Sequence, residues 1–132
     1  MILVDSSVWI DFFNGRTTRQ TDQLAWLLED MAPLAVADLV LFEVLRGFRH
    51  ERDHLAARKT LAELTTVDIG GEHNALQAVQ HDRLLRAMGY TIRSLIDILQ
   101  ASYCIEHGHA LLHDDADFDV MEDLRGLKVW RH

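Results

Sequence analysis

Apolar positions along the chain alternate between short continuous runs and longer stretches at helical spacing. Met1-Ile2-Leu3-Val4-Asp5 reads as the first strand, an apolar run of strand-forming residues that stops on the carboxylate of Asp5. Ser6 or Ser7 is placed to cap a short helix carrying Val8, Trp9, Ile10, Phe12 and Phe13, which Asn14-Gly15 ends. From Thr21 onward, Leu24, Leu27, Leu28 and Met31 recur at helical spacing as far as the only proline, Pro33. Leu34 to Ala37 reads as a second buried strand, after which Asp38 caps a helix running to Gly47. Residues 51–64 are amphipathic, with Leu55, Ala56, Leu61 and Leu64 along one side. Thr65 to Ile69 has the β-branched content of a strand and stops at Gly70-Gly71. A long helix from Glu72 to Met88 closes on Gly89, and Ser94 caps another that runs to Gly108. Ala110 to Leu112 reads as strand, His113 to Asp119 as an acidic turn, and Leu127 to Trp130 as a last short strand. Helices alternating with short apolar strands predict an α/β protein whose parallel sheet is covered on both faces.

Composition narrows the class. A chain of 132 residues without repeats, linker or low-complexity stretch is expected to fold as a single domain, residues 1–132, with no need of disulfides. The one cysteine, Cys104, has no partner for a bridge and sits among apolar neighbours, so a core role in a reducing, cytoplasmic setting is expected. No apolar run approaches the ~20 residues that span a bilayer, so no membrane association is expected. The net charge of -8 argues against a protein that grips nucleic acid by a broad basic surface. It leaves a nuclease open, because carboxylates gathered around a divalent cation make a protein acidic by themselves.

The acids draw attention by where they stand. Glu43 lies within Leu39-Val40-Leu41-Phe42-Glu43-Val44-Leu45, and Asp97 within Leu95-Ile96-Asp97-Ile98-Leu99. A carboxylate in such apolar surroundings needs a cation, a proton or a hydrogen-bond network to compensate it. Asp5 ends a strand, and Asp114, Asp115, Asp117 and Asp119 follow another. In a parallel α/β sheet the turns after the strands gather at one edge, the usual ligand crevice. Four or more acids converging there would repel one another, and hard oxygen ligands with no soft partner favour Mg²⁺ or Mn²⁺. Each acid alone has a plainer explanation: Asp5 as a helix cap, Glu43 or Asp97 as a buried partner of an arginine, and the 114–119 acids as a solvated turn at a helix start.

Other patterns compete. His50-Glu51-Arg52-Asp53-His54 matches H-E-x-x-H, the zinc metalloprotease pattern, with Glu72 or His73 as a third ligand. Arg49, Arg52 and Asp53 make that segment heavily charged, which suits a solvated helix face better than an active-site helix. Asp115-Ala116-Asp117-Phe118-Asp119 fails as a calcium loop because Val120 and Gly126 stand where glycine and glutamate belong. An aspartyl nucleophile after the strand would leave Glu43 and Asp97 unexplained. A non-catalytic α/β interaction module is the remaining alternative.

Taken in order, Ile2-Leu3-Val4-Asp5-Ser6-Ser7, Glu43 in a helix after a short strand, Arg93-Ser94-Leu95-Ile96-Asp97, and Leu111-Leu112-His113-Asp114-Asp115-Ala116-Asp117-Phe118 resemble the PIN-domain ribonucleases. Among these the chain is most similar to the VapC toxins of prokaryotic toxin–antitoxin pairs, and the resemblance covers essentially its whole length. It implies a three-layer α/β/α sandwich with a central, mainly parallel sheet. It also implies an endoribonuclease that uses Mg²⁺ or Mn²⁺, with RNA as substrate, a cognate VapB-like antitoxin as partner and a homodimer as assembly. Carried over residue by residue, the four family acids are Asp5, Glu43, Asp97 and Asp115, with Asp117 as an additional ligand. Ser6 and Ser7 match the small polar positions after the first acid, and Arg93 a recurrent basic one. His113 stands where a small hydroxyl residue is common and is left out of the expected site. Arg46, Arg49 and Arg52, just beyond Glu43, together with Arg93, offer a local basic rim for RNA, or merely solvate helix faces. Trp9, Phe12, Phe13 and Trp26 are candidates either for a dimer or antitoxin surface or for the core.

Overall fold

The computed structural model describes residues 1–131. Its elements in chain order are β1 (Ile2–Val4), α1 (Ser6–Phe13), α2 (Arg19–Glu29), β2 (Leu34–Ala37), α3 (Asp38–Arg46), α4 (Glu51–Ala62), β3 (Thr65–Val67), α5 (Glu72–Ala87), α6 (Leu95–His107), β4 (Ala110–Leu112), α7 (Ala116–Arg125) and β5 (Lys128–Val129). The five strands form one sheet of order β3-β2-β1-β4-β5 in which every pairing is parallel. The seven helices flank it, giving the α/β/α arrangement that the alternation of elements predicts. No described helix is long and apolar enough to cross a membrane.

Topology decides where a site can form. From β1 the chain moves to one side through β2 and β3, then returns to the other side of β1 through β4 and β5. Strand order therefore reverses between β1 and β4, and a crevice opens beyond their carboxyl ends. Leu3↔Leu111 and Val4↔Leu112 are in register, and the Asp5 N–H donates 2.9 Å to the Leu112 carbonyl, so the residues after both strands leave the sheet side by side. Leu3, Val4, Ala35, Val36, Leu111 and Leu112 are buried, as strands covered on both faces require. Trp9 and Phe118 are the largest fully buried side chains, and Cys104 lies in the core, where burial pushes its thiol up to about 12.

Several local expectations are corrected. The cap of α1 is Asp5, whose carboxylate accepts from the Ser7 N–H, whereas Ser6 and Ser7 are already helical. Asp38 is the first residue of α3 and its Oδ1 accepts from the Ile69 N–H at 2.9 Å, tying α3 to the segment after β3. The acidic turn after β4 is shorter than 113–119, because α7 begins at Ala116 and buries Phe118 and Met121, three residues apart. Apolar runs in α3 and α6 do not imply complete burial: Phe42 is 61% exposed and Leu95 80%.

The aromatic candidates divide. Trp9 is core, Phe12 and Phe13 are half-buried and pack with Trp9 and Phe48, and Trp26 is exposed with its ring stacked on Trp130.

Candidate metal centre at the sheet edge

Three helix N-termini point their acids at the β1/β4 crevice. Asp5 caps α1 directly after β1. Asp115 caps α7, its Oδ1 accepting from the Asp117 N–H at 2.9 Å, and Asp117 follows in the first turn. Ser94 caps α6, its hydroxyl accepting from the Asp97 N–H at 3.4 Å, which puts Asp97 in the first turn of that helix rather than its interior. The partial positive charge of a helix N-terminus favours carboxylates placed this way. One carboxylate oxygen from each of Asp97, Asp115 and Asp117 lies within 4.8 Å of the others.

Electrostatics ties the remaining acids to these three. Burial first, then the charges of Asp5, Asp115, Glu43 and Asp117, push the Asp97 carboxyl up to about 7. Glu43 is also raised, chiefly by burial and further by Asp5, against a hydrogen bond from Ser6 and the nearby Arg46 guanidinium, which lower it. Its Oε1 is buried with no hydrogen-bond partner among the described residues. Asp5 is held firmly: Oδ1 accepts from Gln100 Nε2 at 2.8 Å, and Oδ2 accepts from the Ser7 hydroxyl at 2.6 Å and its N–H at 3.1 Å. The Ser7 oxygen in turn accepts from the Asp114 N–H at 3.3 Å, stitching the turn after β4 to α1. All five acids expected from the sequence thus converge, with Asp97, Asp115 and Asp117 as the tight group and Asp5 and Glu43 beside it. An all-carboxylate donor set fits a hard cation such as Mg²⁺ or Mn²⁺.

The basic candidates lie in different places. The Arg93 backbone N–H reaches Asp117 Oδ2 at 3.5 Å, which brings that arginine to the rim of the acids. Arg46 sits over the Phe42 ring at 5.5 Å and close enough to Glu43 to lower its pKa. Arg49 lines a separate cavity of about 520 Å³ with Phe12, Phe13, Phe48, His50 and Asp53. The H-E-x-x-H pattern does not form a zinc site: His50 precedes α4, while His54 Nδ1 donates 3.1 Å to the Leu45 carbonyl and the ring packs against Phe48. Those contacts explain the histidine as a tie between α3 and α4.

Two polar residues at the site escape the sequence reading. Gln100 carries the same signal as Asp97, a polar side chain in an apolar helical run, and lies one turn further along the same side of α6. His113 is buried, its Nδ1 accepting from the Asp115 N–H at 3.2 Å, which assigns the ring proton to Nε2 and braces the turn that presents Asp115. Burial lowers its pKa, against the raising effect of Asp119, Asp5 and Asp115. Nothing in its sequence neighbourhood announces that contact.

A parallel sheet of this order, with carboxylates from three helix N-termini at its switch point, defines an α/β protein built around an acidic pocket. Residues 2–124 match the PIN domain, and the chain belongs to that family. It is 30% identical, over 130 residues spanning 98% of this chain and 97% of each relative, to a VapC ribonuclease of Mycobacterium bovis and to ribonuclease VapC11 of Mycobacterium tuberculosis. Among solved structures, VapBC2 from Rickettsia felis bound to a promoter DNA fragment superposes with a TM-score of 0.77 at 17% identity, covering 98% of both chains. VapC20 of Mycobacterium tuberculosis, a toxin that cleaves the sarcin–ricin loop, gives 0.67 at 19% identity over 91% of this chain and 94% of that one. At such identities the structural likeness speaks for the fold.

Proposed function

We propose that this chain is a divalent-cation-dependent endoribonuclease acting as the toxin of a toxin–antitoxin pair in the cytoplasm, with residues 1–132 as one catalytic domain. The observation that carries the proposal is the convergence of Asp97, Asp115 and Asp117 oxygens within 4.8 Å at the switch point of a PIN-domain sheet. Its 30%-identical relatives named as ribonucleases support the substrate class.

Asp97, Asp115 and Asp117, with Asp5 and Glu43 beside them, are the groups that would hold Mg²⁺ or Mn²⁺. When bound, the ion supplies a water of lowered pKa and neutralises charge on the scissile phosphodiester. Glu43 Oε1, engaged by no protein donor among the described residues, is the acid that would take up a proton from the attacking water. Ser6 holds the Glu43 carboxylate and Ser7 the Asp5 carboxylate, so both hydroxyls orient acids rather than react. Arg93 and Arg46 draw the RNA backbone towards the acids, and Arg49 extends the basic track.

A second copy of the chain and a VapB-like antitoxin are its protein partners. Structures whose names describe VapBC and toxin–antitoxin complexes support the antitoxin. Light scattering of the isolated chain tests the homodimer.

The test of the activity is a cleavage assay on structured RNA with Mg²⁺, Mn²⁺ or EDTA. Cleavage should require the cation and fall by at least about a hundredfold in Asp97→Ala, the scale of losing a principal catalytic group. Equal cleavage in EDTA, or an unimpaired Asp97→Ala, would refute it.

A further inference from the structure

Gln100 is fully buried on α6, 95 positions away in sequence from the carboxylate it contacts. Its Nε2 donates to Asp5 Oδ1, while Oδ2 of the same carboxylate accepts both donors of Ser7. Each oxygen of Asp5 is therefore anchored by a different helix, α6 on one side and α1 on the other. Rotating the Asp5 side chain would break both sets of bonds, so its orientation is fixed before any ligand arrives.

The other end of the amide points to function. Gln100 Oε1 is buried with no partner among the described residues. A buried amide oxygen left unpaired destabilises a fold, and an apolar side chain of similar length would avoid that penalty. Core packing alone thus favours methionine or leucine at this position. The amide is explained by its one made bond, the bond to Asp5.

We propose that Gln100 is a positioning residue of the metal centre, fixing Asp5 in the orientation the cation requires at the expense of fold stability. This inference rests on the metal reading of the acidic pocket. Partners that orient metal-binding side chains are worth roughly 10- to 100-fold in metal affinity. Losing the amide costs some stability under either role, because it strands Asp5 Oδ1, and only a positioning role weakens metal binding beyond that cost.

The experiment compares the unsubstituted chain with Gln100→Met, Gln100→Leu and Ser102→Ala. Ser102, two residues on, is also buried with an unpaired hydroxyl, and it contacts none of the pocket acids by hydrogen bond. Mn²⁺ affinity is read by titration calorimetry, and Tm is read in EDTA. The expected result is Mn²⁺ binding weakened about 10- to 100-fold in both Gln100 variants, beyond what any change of Tm in EDTA accounts for, and affinity unchanged in Ser102→Ala. Unchanged Mn²⁺ affinity in the Gln100 variants would overturn the positioning role alone and leave the metal centre standing. A fall in Tm that accounts for the weaker binding would overturn it as well, by making Gln100 structural. Failure of the unsubstituted chain to bind Mn²⁺ would overturn the metal reading first, and this inference with it.

Discussion

In the absence of a cation, Asp97 is the acid under most strain. It is 7% exposed, and Asp5, Asp115, Glu43 and Asp117 all add repulsion to the penalty of burial. Its carboxyl is ordinarily half-protonated at 3.8 and is pushed up to about 7 in the folded chain. Between those values the folded state binds more protons than the unfolded state, so stability is fully present below about pH 3.8 and is lost as pH rises to about 7. At about 1.36 kcal/mol per pH unit the loss is on the order of 2–4 kcal/mol, the lower figure allowing for water that reaches the half-exposed acids alongside.

Asp97→Asn removes the charge and keeps the shape. In EDTA at pH 8, urea unfolding should find the variant more stable than the parent by that amount, or on the order of 10 °C in Tm. The gap should close progressively below pH 7 and vanish near pH 4, where the parent carboxyl is protonated in both states. Saturating Mg²⁺ or Mn²⁺ should reverse the order at pH 8, because the parent gains the binding energy of the ion and the variant has lost a ligand. A variant no more stable than the parent in EDTA at pH 8, or a gap that persists at pH 4, would refute the like-charge account of the pocket.

Two further outcomes test the scaffold around the site. Met31 lies at φ +53° after α2 with its side chain 89% exposed. Replacing it by glycine removes the left-handed strain without losing packing and should raise stability by about 1 kcal/mol in urea denaturation; a loss would show that its side chain packs after all. Asn74 Nδ2 donates to the Ile69 and Leu99 carbonyls at 2.7 and 2.9 Å, joining α5 to α6 and to the segment after β3. Asn74→Ala should destabilise by about 1–2 kcal/mol by removing both bonds, and an unchanged urea midpoint would sink that role.

The sequence made the framework legible because each strand announces itself. Leu34–Ala37 matches the observed β2, and Ile2–Val4, Thr65–Val67 and Ala110–Leu112 fall within the short β-branched or apolar runs expected as strands. The acids were legible for the same reason, since Glu43 and Asp97 interrupt apolar patterns. α7 was obscured because four acids crowd its first turn and the segment before it, and local composition there speaks of a solvated loop. The burial of Phe118 and Met121 against the rest of the chain, added to the Asp115 cap, makes it a helix. The His113 contact to the Asp115 N–H depends on ring orientation, and the Gln100 contact to Asp5 on β1 and α6 meeting in space. Neither property is carried by a residue's immediate neighbours.

Asp5 and Asp115 first offered a choice between helix cap and site acid, and in the structure each is a helix cap at the edge of the acidic crevice, so the two roles need not compete. Each caps a helix with one oxygen while facing the acids of the crevice. A helix that starts at the end of a parallel strand needs an acceptor for its free N–H groups, and a cation site at that edge needs the same acceptor turned a little outward. The two demands select one residue type at one position, so an alanine there removes both functions together. Asparagine still caps, so Asp115→Asn should keep the stability that Asp115→Ala loses, about 1 kcal/mol, while losing Mn²⁺ affinity as fully as the alanine variant. Equal metal binding by parent and Asp115→Asn in calorimetry would leave Asp115 a cap and nothing more.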